Sequence, residues 1–160
     1  MSTDKPFFLA PYFEPLEGPQ SEGAQALFAY WRGLAEPPAL PRRGQIEMQA
    51  LTELGCVDSI FILEPSEDGD DWRYRLLGTR IVSIYGAEVT NVPFRQHMTP
   101  DEAEAAIRLS NQVRDSREPL FLKARFVSGD HMVPIETMSL PILGRGDEVW
   151  LFGATFFKPR

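Results

Sequence analysis

The most constraining feature of the sequence is the stretch from Trp72 to Gly86, which predicts a strand followed at once by a short helix. Large apolar residues alternate here with two arginines, which is the period of a strand with two different faces. These apolar residues are Trp72, Tyr74 and Leu76. Gly78 interrupts the alternation, Thr79 is of a type that caps helices, and Gly86 stands where a helix-ending glycine belongs. The residues on the apolar face of the predicted helix are Ile81, Ile84 and Tyr85. A strand and a helix joined by a two-residue corner form a concave wall, and this wall carries no reactive group.

The same stretch resembles a bacterial PAS-domain family of small, mostly stand-alone proteins. The shared pattern is Tyr-Arg-Leu-x-Gly-Thr-x-Ile, then Tyr-Gly and Glu-x-Thr, and its residues here are Tyr74 to Gly78, Thr79, Ile81, Tyr85, Gly86, Glu88 and Thr90. Three further segments also fit, namely Tyr30-Trp31, Pro41 to Arg43 and Glu136 to Pro141. Asn91 stands where the family pattern has glycine, and since asparagine tolerates the left-handed backbone region best after glycine, we expect the turn to be kept. The resemblance covers roughly residues 27 to 157.

The resemblance implies an α+β fold, with a PAS-like five-stranded antiparallel sheet and helices packed on one face. Helical spacing of apolar residues adds an N-terminal amphipathic helix, and the density of prolines before it predicts an extended arm. The hydrophobic periodicity predicts the same order of elements: helices, two strands, short helices, one long helix and three strands. The long helix has a strong start, because Thr99, Pro100 and Glu102 form a capping box with proline at its first position. We divide the chain into a proline-rich arm, residues 1–20, and a single PAS-like domain with its flanking helix, residues 21–160.

The second predicted hairpin assigns residues to the faces of the sheet. Its register places Lys123 opposite Glu136, and we expect a cross-strand ion pair there, worth about 0.2–1 kcal/mol, on the face away from the helices. The apolar face then looks toward the helices, and the small Ala124 leaves space on it. The candidate ligand cavity consists of Tyr74, Tyr85, Phe94, Met98, Ile107, Leu122, Ala124, Phe126, Ile135 and Thr137. The alternative is that these side chains simply fill the core, as aromatic and methionine side chains more often do.

Charge and composition exclude several classes of protein. The net charge is −7 with both signs interspersed, which argues against binding nucleic acid or an anionic membrane. The single cysteine, Cys56, cannot form an internal disulfide, and the two histidines do not form a metal site, so we expect no cofactor. Met1 to Lys5 lacks a signal-peptide pattern and no apolar run approaches the roughly 20 residues of a membrane span, so we expect a cytoplasmic protein.

These observations predict a non-catalytic sensory or regulatory domain that acts through a small ligand or a protein partner. One alternative is an interaction adaptor with a filled core. The other is a small cone-shaped α+β enzyme or carrier of lipophilic ligands, for which Glu136 with Tyr74 is the pair we would nominate. The expected partners are a second copy of the chain, a separate signalling protein or a small apolar ligand. The candidate dimer or partner surface is the aromatic face of the first helix, with Leu27, Phe28 and Trp31.

Arg42 and Arg43 are adjacent, and this pair is either a small anion site or, as is more usual for arginines beside proline, simply solvated.

Overall fold

The computed structural model describes residues 7–8, 13–128 and 131–157. It gives the backbone alone for Phe7, Phe8, Ile84, Tyr85, Phe126 to Ser128 and His131. The helices are α1 (Glu22–Arg32), α2 (Met48–Glu53), α3 (Thr79–Tyr85), α4 (Phe94–His97) and α5 (Pro100–Ser116). The strands are β1 (Phe7–Phe8), β2 (Glu14–Leu16), β3 (Ile60–Pro65), β4 (Trp72–Leu77), β5 (Leu120–Ser128), β6 (His131–Leu143) and β7 (Val149–Phe157).

The five long strands form one antiparallel sheet in the order β5-β6-β7-β3-β4. The described parts of the arm extend this sheet, because β1 and β2 both pair antiparallel with the free edge of β5. Pro15 lies opposite Leu122 in this pairing, and proline is tolerated there because an edge strand does not need every N–H. The predicted PAS-like fold is confirmed.

Helices cover the sheet from both sides. The face that we call inner carries Phe61, Leu63 and Leu151, and it packs against α3, α4 and α5, as expected of a PAS fold. The outer face carries the alternate residues of the same strands, among them Ile60, Ile62 and Phe152. It packs against α1 and against the segment from Leu40 to Cys56. The outer face is therefore covered by the chain itself.

The N-terminal helix α1 buries its aromatic face against its own sheet. Ser21 caps the helix as predicted, since its hydroxyl accepts from the Ala24 N–H at 3.2 Å. Leu27 is fully buried and Trp31 is 5% exposed, with the Trp31 indole N–H donating to the Pro141 carbonyl at 3.0 Å. Phe28 is half-buried and stacks on Trp31. The assignment of Leu27 and Trp31 to a partner surface is therefore corrected, because the outer face of the sheet already occupies them.

The predicted register of the second hairpin is confirmed, with Lys123 opposite Glu136 and Phe126 opposite Val133. The expected surface ion pair is wrong, because Glu136 is only 1% exposed while Lys123 is exposed. The Glu136 carboxylate lies under the start of α1 and accepts hydrogen bonds from two backbone N–H groups, those of Gln20 at 2.7 Å and Ser21 at 3.1 Å. A carboxylate at a helix N-terminus is favoured by the helix dipole as well as by the N–H donors. Glu136 thus anchors α1 to the outer face.

A β-bulge breaks the simple alternation predicted for β4. Ile62 pairs with Leu76, but Leu63 pairs with Tyr74, so Arg75 is the extra residue. Leu76 consequently packs in the outer cluster, whereas Tyr74 stays on the inner face. The period of two fails here because a bulge inserts one unpaired residue and re-aims the side chains beyond it.

The corner between β4 and α3 depends on Gly78, which is the N-cap of α3 in place of the predicted Thr79. A Cβ at Gly78 would lie 2.3 Å from the Asp58 carbonyl oxygen, so the close approach of the two backbones requires glycine. Gly86 ends α3 with a φ of 81°, and Asn91 has a φ of 67°. Both left-handed positions expected from the sequence are therefore confirmed.

We predict that Glu136→Gln lowers the free energy of unfolding by about 2 kcal/mol. The two N–H groups donate to different carboxylate oxygens, and glutamine replaces one of these oxygens by an NH2 group that cannot accept. A hydrogen bond to a charged group contributes about 1.5–3 kcal/mol. Urea unfolding followed by tryptophan fluorescence measures the change. Lys123→Gln is the matched control and should stay within about 0.5 kcal/mol of wild type. Equal losses of unfolding free energy in the two variants would indicate that Glu136 is stabilised by an ion pair with Lys123 instead.

Candidate functional site

A cavity of about 90 Å³ lies between α5 and the inner face of the sheet. Apolar residues form most of its wall, namely Phe13, Phe61, Leu63, Tyr74, Phe94, Met98, Ala106, Leu109, Leu120 and Leu122. The polar residues of the wall are Glu102, Ser110, Thr137, Ser139 and Thr155. An apolar chamber with a few convergent polar groups is the usual form of a small-molecule site.

The capping box of α5 sets the helix side of the cavity. The Thr99 hydroxyl accepts from the Glu102 N–H at 3.3 Å, and the Glu102 carboxylate accepts from the Thr99 N–H at 2.9 Å, which confirms the predicted start. Glu102, Ala106 and Ser110 follow one another at intervals of four residues, so they lie on one face of α5. The small Ala106 and Ser110 side chains leave the space that the cavity occupies.

Buried contacts hold α5 at its distance from the sheet. The Trp72 indole N–H donates to the Asn111 side chain at 2.8 Å, and Trp72 itself is fully buried in the inner cluster. Ala103 and Val113 of α5 pack in the same cluster. The helix is therefore fixed before and after the cavity.

The sheet side of the cavity supplies hydroxyl groups from two neighbouring strands. The Thr137 hydroxyl donates to the Ala154 carbonyl at 3.2 Å and lies 3.4 Å from the Thr155 hydroxyl oxygen. Leu122 lies opposite Thr137 in the pairing of β5 with β6. A ligand with one polar end could form hydrogen bonds with these hydroxyls on the sheet side of a mostly apolar chamber.

Three aromatic rings close the end of the cavity near β4. Tyr74 meets Phe61 edge to face at 6.0 Å between ring centroids and lies 5.4 Å from the ring of Phe94. Phe94 is 2% exposed and contacts the His97 imidazole edge to face at 5.9 Å. Burial lowers the pKa of His97, and the nearby Asp71 carboxylate opposes this in part, so the imidazole is held in its neutral form.

The arm contributes Phe13 to the same wall. Phe13 directly precedes β2, and β2 pairs with the stretch of β5 that includes Leu122. The pairing of the arm with the sheet edge therefore determines whether Phe13 closes this part of the cavity.

Five of the ten candidate cavity residues line the cavity: Tyr74, Phe94, Met98, Leu122 and Thr137. The side chains of Tyr85 and Phe126 lie outside the described part of the structure. The remaining three are buried elsewhere: Ile107 packs in the inner cluster, and Ala124 and Ile135 form a separate cluster with Phe13, Val133 and Phe157. Ala124 therefore does not provide the space that we expected, and its neighbours do fill the core.

The residues that were missed have different signals in the sequence. Ala106 and Ser110 are small residues about one helical turn apart on α5, and this spacing could have predicted a gap along one face of the helix. Phe13 carried no such signal, because its place depends on how the arm pairs with β5.

The geometry offers little for catalysis. Glu136 lies on the outer face under α1 and Tyr74 on the inner face, so the sheet separates the nominated acid and hydroxyl. Burial raises the pKa of the Cys56 thiol, helped by Asp58, which disfavours a reactive thiolate. Among residues 7–8, 13–128 and 131–157, no three metal-ligating side chains come together.

The fold and the cavity agree with the comparison to known families. A PAS-domain family model matches residues 20–155, so the chain belongs to the PAS-domain family. PAS domains are in general sensory or regulatory domains without catalytic activity. No curated protein matches the chain. Within the described residues, no helix has both the length and the apolar character needed to cross a bilayer.

We predict a pH dependence of stability from His97. Because its pKa in the folded state is lowered, the unfolded chain binds the proton more readily. The contribution of the neutral imidazole to stability is complete above the unfolded pKa of about 6.5 and is lost as the pH falls through the folded value. Urea unfolding between pH 5 and 7.5 should show a steeper loss of stability toward acid for wild type than for His97→Gln. Parallel curves would contradict the assignment.

Proposed function

We propose that this PAS domain is a sensor that binds a small, largely apolar molecule in the cavity between α5 and the inner face of the sheet. The observation that carries the proposal is that the small side chains of Ala106 and Ser110 line the cavity together with Leu122 and Thr137. A helix that only had to fill the core would carry larger residues there, because protein interiors are normally packed without voids.

The volume limits the ligand. Sites for drug-sized molecules measure roughly 300–1,000 Å³, whereas this cavity measures about 90 Å³. The occupant in this conformation is therefore a molecule of a few non-hydrogen atoms. A larger ligand has to displace part of the wall, and Phe13 is the part of the wall that lies on the arm, next to the short edge strand β2. Binding would in that case change the edge of the sheet, which is a change that a partner can detect.

The alternative is an adaptor that signals through protein contacts alone. The tight burial of Ala124 among Phe13, Val133 and Ile135 favours it, since this end of the inner face leaves no space. A homodimer also stays a proposal. Because Leu27 and Trp31 are buried within the same chain, we expect Trp31→Glu to unfold α1 rather than to dissociate two copies.

The two functions differ in their response to a filled cavity. Ala106→Leu adds three carbons at the cavity wall, and each buried methylene group contributes about 0.8 kcal/mol, so the variant should fold with wild-type stability or better. It should also lose binding. Ala124→Leu is the matched control, because the same substitution in the packed cluster should cost about 1–3 kcal/mol and leave the cavity open.

Native mass spectrometry of the purified proteins, together with thermal shifts in a set of small apolar fragments, measures binding. The sensor predicts a retained molecule or a fragment response in wild type and Ala124→Leu that Ala106→Leu lacks. The adaptor is favoured when all three proteins behave alike.

A further inference from the structure

The polar side chains of the cavity wall present oxygen atoms to the interior. On the α5 side these are the Glu102 carboxylate and the Ser110 hydroxyl, and on the sheet side they are the hydroxyls of Thr137, Ser139 and Thr155. Among the residues that the structure describes, no lysine, arginine or histidine lines the cavity, so Glu102 is the charged residue of this wall. The wall therefore holds no cation that could pair with an anionic ligand.

Three of the four hydroxyls already use their proton within the protein. A hydroxyl group has a single proton to donate but can also accept through its lone pairs. The Ser110 hydroxyl donates to the carbonyl one turn earlier, that of Ala106, at 2.8 Å. The Thr137 hydroxyl donates to the Ala154 carbonyl at 3.2 Å. Its proton is then spent, so the 3.4 Å contact between the Thr137 and Thr155 oxygens uses the proton of Thr155.

The lone pairs of these oxygens are less fully used than their protons. Ser110 is 5% exposed and Thr155 is 4% exposed, and in this arrangement no described residue donates to either oxygen. The Glu102 carboxylate accepts from the Thr99 N–H through Oε1 alone. The Ser139 hydroxyl makes no hydrogen bond with the described residues, so it can accept or donate. The wall thus offers several acceptors to a ligand but few protons.

We propose that the ligand of the cavity carries a hydrogen-bond donor, an alcohol or a protonated amine, on a short apolar tail. The proposal rests on the sensor function and specifies the ligand of that site. A donor adds hydrogen bonds to oxygens that have unused lone pairs, whereas a carbonyl ligand competes for protons that Ser110, Thr137 and Thr155 already donate elsewhere. A carboxylate ligand would in addition lie in one chamber with the like charge of Glu102.

The volume sets the length of the tail. An apolar cavity of about 150 Å³ holds benzene, and the present cavity measures about 90 Å³. In proportion, the ligand has roughly four non-hydrogen atoms. Propanol, propylammonium, acetone, acetate and butane all have this size, and they differ in whether they donate, accept, carry charge or do none of these.

Glu102 distinguishes an alcohol from an amine. The carboxylate attracts a protonated amine by its charge, and an alcohol does not depend on that charge. Glutamine at this position can still accept from the Thr99 N–H and so keeps the capping box of α5. Glu102→Gln therefore removes the charge without removing the helix start. Glu104→Gln is the matched control, because Glu104 is exposed on the same helix and does not line the cavity.

The test is a titration of the purified protein with the five probes at neutral pH. The methyl ¹H–¹³C resonances of Leu122 and Met98 report entry into the cavity. We expect propanol or propylammonium to bind at least about fivefold more tightly than acetone, the value of one hydrogen bond, and acetate not to bind. If the amine is the tighter ligand, Glu102→Gln weakens its binding about tenfold while Glu104→Gln does not. If the alcohol is tighter, both variants bind it like wild type.

The hydroxyls are tested with the double variant Thr137→Val, Thr155→Val. Valine has nearly the shape of threonine and suits a strand, so the variant keeps the fold while it removes two oxygens from the wall. Butane should bind it as it binds wild type, and the advantage of the donor probes over acetone should fall about fivefold.

Two kinds of failure can be told apart. The donor preference is overturned when acetone or acetate binds as tightly as propanol and propylammonium, or when the double variant and Glu102→Gln both leave the advantage of the donor probes unchanged. In those cases the cavity still binds small molecules, and the sensor function stands. If none of the five probes shifts the Leu122 and Met98 resonances, the sensor function fails and the donor preference with it.

Discussion

Two backbone N–H groups, those of Gln20 and Ser21, donate to the Glu136 carboxylate on the outer face of the sheet. Burying a charge without partners costs several kcal/mol, so the start of α1 and the carboxylate stabilise each other. The chain leading into this contact is short, since only residues 17–20 separate Leu16 from Ser21. The anchored helix therefore holds β2 close to the edge of β5, and with it Phe13 at the cavity.

The sheet divides the molecule into two environments. On the outer side the apolar surface is covered by α1 and by the segment from Leu40 to Cys56, so little of it is left there for a partner. On the inner side α5 stands off the strands at Ala106 and leaves the cavity. Strand β4 contributes to both sides, because Tyr74 packs in the inner cluster while Arg73 and Arg75 flank the buried Glu64 on the outer side.

The fold could be predicted from the sequence because its signals are local. The capping box at Thr99, the left-handed Gly86 and the alternation along β5 and β6 each depend on neighbouring residues. Strand parity also placed Leu122 and Thr137 on the cavity side. The errors arose where a local pattern was not enough. A step of one residue turns a helix by 100°, so Ile107 faces the core while Ala106 faces the cavity.

The features that the sequence did not predict depend on tertiary contacts. A glutamate on a strand is normally exposed, and only the arrival of α1 shows that Glu136 is buried. The aromatic face of α1 was assigned to a partner because the sequence of a helix shows which of its faces is apolar but not which surface that face packs against. The bulge at Arg75 has no marker in the residues around it and follows from the pairing of β3 with β4.

The proposed sensor function requires that a small apolar molecule can enter the cavity on the inner face. Methyl ¹H–¹³C spectra of the protein under xenon pressure test it most directly, because xenon enters small apolar cavities. We expect saturable shifts for the methyl groups of Ala106, Leu122 and Met98, which line the cavity, and none for Leu51 and Leu140 on the outer side. Unchanged resonances of the cavity methyl groups, or equal shifts on both sides of the sheet, would show that the inner face holds no cavity that xenon can enter.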